Sequence, residues 1–325
     1  MVSKKKGFKP NHQKGCSRLT RRAFLKSQAA LGFCAASASM GVLSLPGYVW
    51  GQDSPDIALV EGNPGPATQK AVQLLGDMGS FVGSGDRVVI KPNMSFAHDP
   101  ERATNTHPEV VRVLAELSLQ AGASRVRVLD NTLQSAQSCL ELSGIQAACS
   151  GLQNTRVQAL SSSRYFQEVD LKQGESFRRT EVMREVLDAD VLIAAPVAKS
   201  HSATGVSLSM KGMMGLIRNR GVMHSRYDLN QAIVDLCTFL WADLTVVDAT
   251  RVLSSHGPQG PGEVIRADQV IASRDMVAAD AMAVNLFPWY GQKIQPRQVE
   301  HIRMAHERGL GRMDIENLST HRTKS

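Results

Sequence analysis

The order of apolar segments predicts an α/β fold, a mainly parallel sheet with helices on both faces. Three observations carry this. Short apolar runs alternate with stretches of helical periodicity along most of the chain. One run, "VLIAAPVA" (Val191 to Ala198), is continuously apolar, as strands covered on both faces of a parallel sheet are. Helix boundaries are also marked, with Pro108 opening "PEVVRVLAELSLQAG" and Gly122 closing it.

Taken in order, "DIALVEG" (Asp56 to Gly62) reads as a strand. In "ATQKAVQLLGDMGSFV" the positions Ala71, Leu74, Leu75 and Met78 repeat at helical spacing. "DRVVIKPN" (Asp86 to Asn93) is a strand stopped by Pro92, and "SRVRVLDN" is a third, followed by a helix from Ser135 to Ala148. "TRVQAL" and "YFQEVDL" read as strands and "TEVMREVLDAD" as a helix. "DLNQAIVDLCTFLW" is an amphipathic helix, "ADLTVVDAT" a strand ending at Asp248, and "EVIRADQVIASRD" one or two strands. "MVAADAMAVNLF" and "QPRQVEHIRMAHERGLG" close the chain as helices, before a polar tail from Asp314 to Ser325 whose last residues are expected to be loose.

The first 51 residues are of another kind. Nine basic residues, Lys4 to Lys26, precede the first acid, Asp53, and a small-residue, weakly hydrophobic run follows to Gly51. A basic region, a modest hydrophobic region and a polar start describe an export signal. "LTRRAFLKS" resembles the twin-arginine signal through Thr20, Arg21, Arg22, Phe24, Leu25 and Lys26. The division expected is therefore residues 1–51 as signal and 52–325 as one α/β domain. The implied partner is the twin-arginine translocase and the destination the periplasm. Gly, Ser, Ala and Pro throughout the run make it a poor permanent membrane span, so the mature protein is not read as integral to a membrane.

Removing the signal changes the charge argument. The whole chain carries 37 Lys and Arg against 30 Asp and Glu; without the nine it carries 28 against 30, a balance of −2. The basic pI belongs to the leader, and nothing favours a nucleic-acid partner. Cys139, Cys149 and Cys237 form no C-x-x-C, so no zinc or iron–sulfur motif is present; Cys139 and Cys149 are close enough in sequence to close a loop, and core packing is the plainer reading of all three. There is no Walker A sequence, no G-x-G-x-x-G, no G-x-S-x-G and no H-E-x-x-H. The sequence therefore names no cofactor.

In open parallel sheets ligands collect beyond the carboxyl ends of the strands. The polar residues ending these runs are Lys91 and Asn93, Asp130 and Asn131, Lys199 and His201, and Asp248. In "PVAKSHSATGVSLSMKGMMGLI", Lys199 and His201 are expected just past a buried strand, and Lys211 on an apolar helix after them. Lysines there suit an anion, helped by backbone N–H groups at a helix start. The plainer reading is solvated strand-end charge and a hydrogen-bonded structural histidine. His98 and His107 could ligate a metal or simply sit in loops.

With these residues in place, the chain resembles a family. "VVIKPNM", "APVAKSHSATGVSLSMKGMMGLI", "DLNQAIVDL", "LTVVDAT" and "RDMVAADAMAV" look like the domain-of-unknown-function family 362, in the same order and over most of the mature chain. Members of that family often carry an iron–sulfur module, and this chain has no cysteine-rich insertion for one. The resemblance places Lys91, Asn93, Lys199, His201, Lys211, Asp248 and Asp280 in the motif blocks; Asp280 enters the candidate set through it alone. The expectation is an exported protein with an enzyme-like site for an anionic small molecule or cofactor, a redox-related role being one option. Lys91, Lys199, Lys211 and Asp280 would be ligand-binding, with Asn93 orienting the ligand. His201 is the candidate acid/base supported by Asp248. The alternative is a non-catalytic ligand- or cofactor-binding or maturation protein. A metal held by His201, His224 and Asp248 is a weaker third reading.

Overall fold

The structure, a computed structural model, describes residues 54–325. The expected export signal lies outside these residues. Among the described residues the main sheet has ten strands, and its order explains where a site can form. The central strands β2 (Arg87–Pro92), β3 (Arg125–Asp130), β4 (Thr155–Ala159), β7 (Val191–Ala195) and β10 (Leu244–Leu253) lie in the order β10-β7-β2-β3-β4, all parallel. β11 (Val264–Ser273) runs antiparallel between β10 and β1 (Ile57–Glu61), and β12 (Thr320–Lys324) adds parallel to β1 at the edge. Two strands, β5 (Phe166–Asp170) and β6 (Arg179–Met183), pair as a separate hairpin. β8 (Val197–His201) pairs with β10 and, antiparallel, with β9 (Gly205–Ser207).

Alternation along the strands sorts the core into two layers. Val88, Ile90, Val126 and Val128 face the helices Pro64–Leu74, Pro108–Gln120 and Ile145–Cys149. Val89, Leu129, Leu192 and Val247 face Ser209–Gly212, Leu229–Cys237, Met276–Leu286 and Glu300–Glu307. Burying such a side chain contributes roughly 1.5–3 kcal/mol, so the two layers hold the sheet between them. The α/β class with a mainly parallel sheet stands as expected. No helix among the described residues is long and apolar enough to cross a membrane.

Four local readings change. "TEVMREVLDAD" forms β6 and only one helical turn, Arg184–Leu187, because Gln167 to Asp170 offer it an antiparallel partner. A short apolar run does not tell a strand from a helix by periodicity. The helix expected over Ser135 to Ala148 is split at Gly144, which takes φ +71° and closes the first piece. The C-terminal tail is not loose: it becomes β12, pinned where Ser319 N and Oγ donate to Asp56 at 2.8 and 2.7 Å. Finally, the buried strand does not hand over to a helix at Lys199. Pro196 ends β7, and the chain re-enters the sheet as β8, so Lys199 and His201 sit on a strand. Cys139, Cys149 and Cys237 are buried free thiols.

Candidate functional site

The chain leaves β2 toward β3 on one side and leaves β7 toward β10 on the other, so the strand order reverses between β2 and β7. A crevice opens at such a reversal, beyond the carboxyl ends of the strands. β2 ends in Lys91 and Pro92, β3 ends in Asp130, and β8 continues past the end of β7 carrying Lys199 and His201.

Local chemistry holds this edge in shape. Asn93 Oδ1 accepts from Val197 N at 3.0 Å, directly after the Pro196 break. Thr106 Oγ1 donates to Ala195 O at 2.7 Å and accepts from Asn93 N at 2.9 Å. Asn93 thus stitches β2 to the β7–β8 joint through its Oδ1 and its backbone, while its Nδ2 has no hydrogen-bond partner among the described residues. Asp130 is fully buried, accepting from Met94 N at 3.1 Å and Ser95 Oγ at 2.8 Å and meeting Lys91 Nζ at 3.2 Å. Gly215 lies over this pair: a Cβ there would stand 2.3 Å from Asp130 Oδ1 and 2.4 Å from Lys91 Cε, so only glycine fits.

Three cations stand near that one carboxylate, Lys91, Lys199 and Arg220, and a fourth, Lys211, stands beside Lys199 and Arg220. Lys91 donates also to Pro92 O, and Lys199 Nζ donates to Thr104 O at 2.7 Å and stands 5.2 Å from the centre of the Phe96 ring. Arg220 donates to Asn131 O. Lys211, half-buried, has no hydrogen-bond or ion-pair partner among the described residues. Burial pushes Lys199 and Lys211 down to about 7, with the neighbouring cations adding to the effect, Lys211 on Lys199 and Arg220 on Lys211. Burial lowers Lys91 too, against the pull of Asp130. Positive charge is crowded here beyond what Asp130 offsets.

The imidazoles beside this cluster are neutral. Burial, then Lys211, His224, Lys199 and His301, push His201 down to about 3. His201 and His224 lie stacked with ring centres 6.1 Å apart. His301 is fully buried and is held down to about 3 by burial and then Lys211.

Two expected carboxylates turn out to be occupied elsewhere. Asp248 does not back His201. Its Oδ1 accepts from Thr250 N and Oγ1 at 3.1 and 2.6 Å, and its Oδ2 from His107 N at 2.7 Å and Arg251 at 2.8 Å. His201 Nδ1 is likewise taken, by Ala203 N at 3.1 Å. Asp280 reaches no open space: its oxygens accept from Ser209 N and Oγ at 2.9 and 2.6 Å and from Met210 N at 3.0 Å. It fixes the turn that presents Lys211, and burial raises it to about 7. Among the described residues no three His, Cys, Asp or Glu side chains converge as metal ligands, so His201, His224 and Asp248 do not form the expected set.

The structure therefore brings together Lys91, Lys199, Lys211 and His201, and adds two residues that sequence reasoning passes over. Arg220 lies in "RNRGVMHSRYD", which reads as a loop. His301 has a visible signal, a histidine on the apolar stripe with Ile302 and Ala305. A separate cavity of about 520 Å³, lined in part by Asn285, Arg297, Glu316 and Arg322, contains none of the expected residues.

Comparison with known proteins gives a family model, described as a domain of unknown function (DUF362), that matches residues 88–285. A thylakoid-associated protein of Synechocystis sp. is 28% identical over 219 residues, 65% of this chain and 66% of that protein's length. Of solved structures, the lactate racemase apoprotein from Thermoanaerobacterium thermosaccharolyticum is 13% identical with a TM-score of 0.46, over 70% of this chain and 57% of that one. A Thermotoga maritima protein is 13% identical with a TM-score of 0.38, over 69% of this chain and 59% of that one.

Proposed function

The chain belongs to the DUF362 family, and we propose that its cation cluster is the binding site of an anionic small molecule or cofactor in an exported protein. The observation that carries this reading is the charge imbalance at the strand ends: Lys91, Lys199 and Arg220 share Asp130, while Lys211, beside Lys199 and Arg220, has no partner among the described residues. Holding four basic side chains together, where two are buried and two half-buried, is unfavourable unless an anion completes the set. An anion bound there would bridge Lys199 and Lys211, with His201 beside it as the acid/base group.

The test is direct binding of sulfate by calorimetry to the folded mature protein. Wild type is expected to bind, and Lys211→Ala and Lys199→Ala each to weaken it by about tenfold or more, the scale of one charge-assisted hydrogen bond. Equal affinity in all three proteins would sink the anion site.

A second reading, a carrier without catalysis, is favoured by one observation. With His201 held down to about 3, its imidazole in the free site does not take up a proton at neutral pH. His201→Ala separates the two, since a catalyst loses turnover while keeping its ligand and a carrier loses little beyond affinity. The export part of the proposal rests on "LTRRAFLKS". Replacing both Arg21 and Arg22 by Lys is expected to leave the precursor inside the cell, read by fractionation. Unchanged periplasmic recovery would rule out the twin-arginine route.

A further inference from the structure

Strand β9 turns back on β8 so that Lys199 lies opposite Ser207, Ser200 opposite Val206 and His201 opposite Gly205. Residues directly opposite on antiparallel strands project to one face, with Cβ atoms about 5 Å apart, and residues two along a strand share that face. Lys199, His201 and Ser207 therefore stand together on one face of the hairpin. The other face is sealed, because Val206 lies in the core and Ser200 Oγ accepts from Gly257 N at 2.9 Å.

Ser207 is 5% exposed, and its Oγ has no hydrogen-bond partner among the described residues. That hydroxyl still reaches solvent, unlike the enclosed Nε2 of His301. Burying a hydroxyl without a partner is unfavourable, and alanine would fill the position without that cost. Its neighbours are donors. Lys199 Nζ gives one of its three N–H groups to Thr104 O at 2.7 Å and keeps two. The neutral His201 ring accepts at Nδ1 from Ala203 N at 3.1 Å, so its proton is on Nε2, a donor with no partner among the described residues. Opposite His201, Gly205 brings no side chain, and a Cβ built there would meet nothing within 4 Å, so the hairpin is open at that end.

Resting on the anion-site reading above, we propose that Ser207 is a ligand-binding residue of that site, its hydroxyl donating to the oxyanion that Lys199 holds, and that this oxyanion is a phosphate or sulfate group. The class follows from the directions of the donors. Lys199 and Ser207 reach from one pair of the hairpin and His201 from the next pair on that face, while Lys211 comes from the separate turn Ser209–Gly212. A tetrahedral oxyanion presents its oxygens in several directions and meets all of them. A carboxylate presents its oxygens in a single plane, which the two lysines satisfy without the serine.

Two measurements on the folded mature protein decide it. Calorimetry compares inorganic phosphate, sulfate and acetate. Wild type is expected to bind phosphate and sulfate at least about tenfold more tightly than acetate, the scale of one charge-assisted hydrogen bond. Ser207→Ala should weaken phosphate and sulfate by about tenfold and leave acetate within about twofold. Whichever of phosphate and sulfate binds more tightly identifies the group. Unchanged phosphate and sulfate affinity in Ser207→Ala, with Lys211→Ala still weakening both, would overturn the role of Ser207 and leave the anion site standing. Acetate bound as tightly as phosphate, or weakened as much by Ser207→Ala, would overturn the tetrahedral class. The second measurement needs no substitution: a crystal structure of wild type with phosphate. An oxygen within hydrogen-bond distance of Ser207 Oγ, on an ion that Lys199 also holds, is expected. Phosphate held by the lysines but out of reach of that hydroxyl overturns the proposal alone. No binding of any of the three ions by wild type would overturn it together with the anion site.

Discussion

Lys91→Met is expected to destabilise the protein by about 3 kcal/mol, the lower end of the cost of removing one partner from a buried ion pair. Lys91 and Asp130 have side chains 2% and 1% exposed, so Asp130 would be left as a charge with almost no access to water. The cost stays at the lower end because Lys199 and Arg220 remain close enough to feel Asp130, and Met94 N and Ser95 Oγ still donate to it. Denaturant unfolding at pH 7 reads the effect. Adding Asp130→Asn to Lys91→Met should recover more than half of the loss, since the stranded charge is then gone. In the double-mutant cycle the two changes should couple by more than about 1 kcal/mol, as contacting residues do. Additive losses would show that Lys91 supports the fold through contacts other than Asp130. The same cycle bears on how the site is built. Among the described residues Asp130 is the one carboxylate beside Lys91, Lys199 and Arg220, so its pairing with Lys91 offsets only part of the positive charge gathered there.

Much of this is legible in the sequence, for a reason that lies in the sheet. Parallel strands covered on both faces must be apolar until they end, so the first charged residue after such a run marks the strand's carboxyl edge. That reasoning finds Lys91, Asp130, Lys199 and His201 without any knowledge of strand order. It fails where the partner is distant in sequence. The pairing of β12 with β1 joins Thr320–Lys324 to Ile57–Glu61, and nothing in a polar pentapeptide announces a parallel neighbour so far away. Asp248 illustrates the same limit at one residue. Its strand end is recognisable, but the four donors that occupy it come from His107, Thr250 and Arg251, and occupancy is a tertiary fact. Asp280 joins the candidate set by resemblance; its three hydrogen bonds hold the Ser209–Gly212 turn, so its contribution to Lys211 is one of position. His301 is readable as a helix-face histidine, but that Lys211 acts on its imidazole is not, because only packing sets the two near each other.

Sulfate binding should weaken steeply as pH rises above neutrality, and should draw protons from solution as it occurs. Sulfate keeps its charge throughout this range, so any pH dependence belongs to the protein. Lys199 and Lys211 are each lowered to about 7, against an unfolded value of 10.5. The sign comes from that depression. Between about 7 and 10.5 the unfolded chain holds protons on these lysines that the free folded protein has lost, so the stability of the free protein rises with pH across this window. A bound anion favours the charged ammonium and raises both values again, so binding in the same window takes up protons. Affinity therefore falls as pH rises through about 7, by roughly tenfold per pH unit for each lysine that must be charged. From pH 7 to pH 9 the expected loss is on the order of a hundredfold or more. Titration calorimetry at pH 8 in two buffers of different ionisation enthalpy gives the proton count directly. Uptake of one to two protons is expected in wild type, and less in Lys211→Ala, where one of the two titrating groups is missing. Binding that is indifferent to pH and to the buffer would mean that neither lysine changes charge when the anion arrives. The contact would then belong to Arg220, which stays protonated throughout, and the buried lysines would be part of the scaffold.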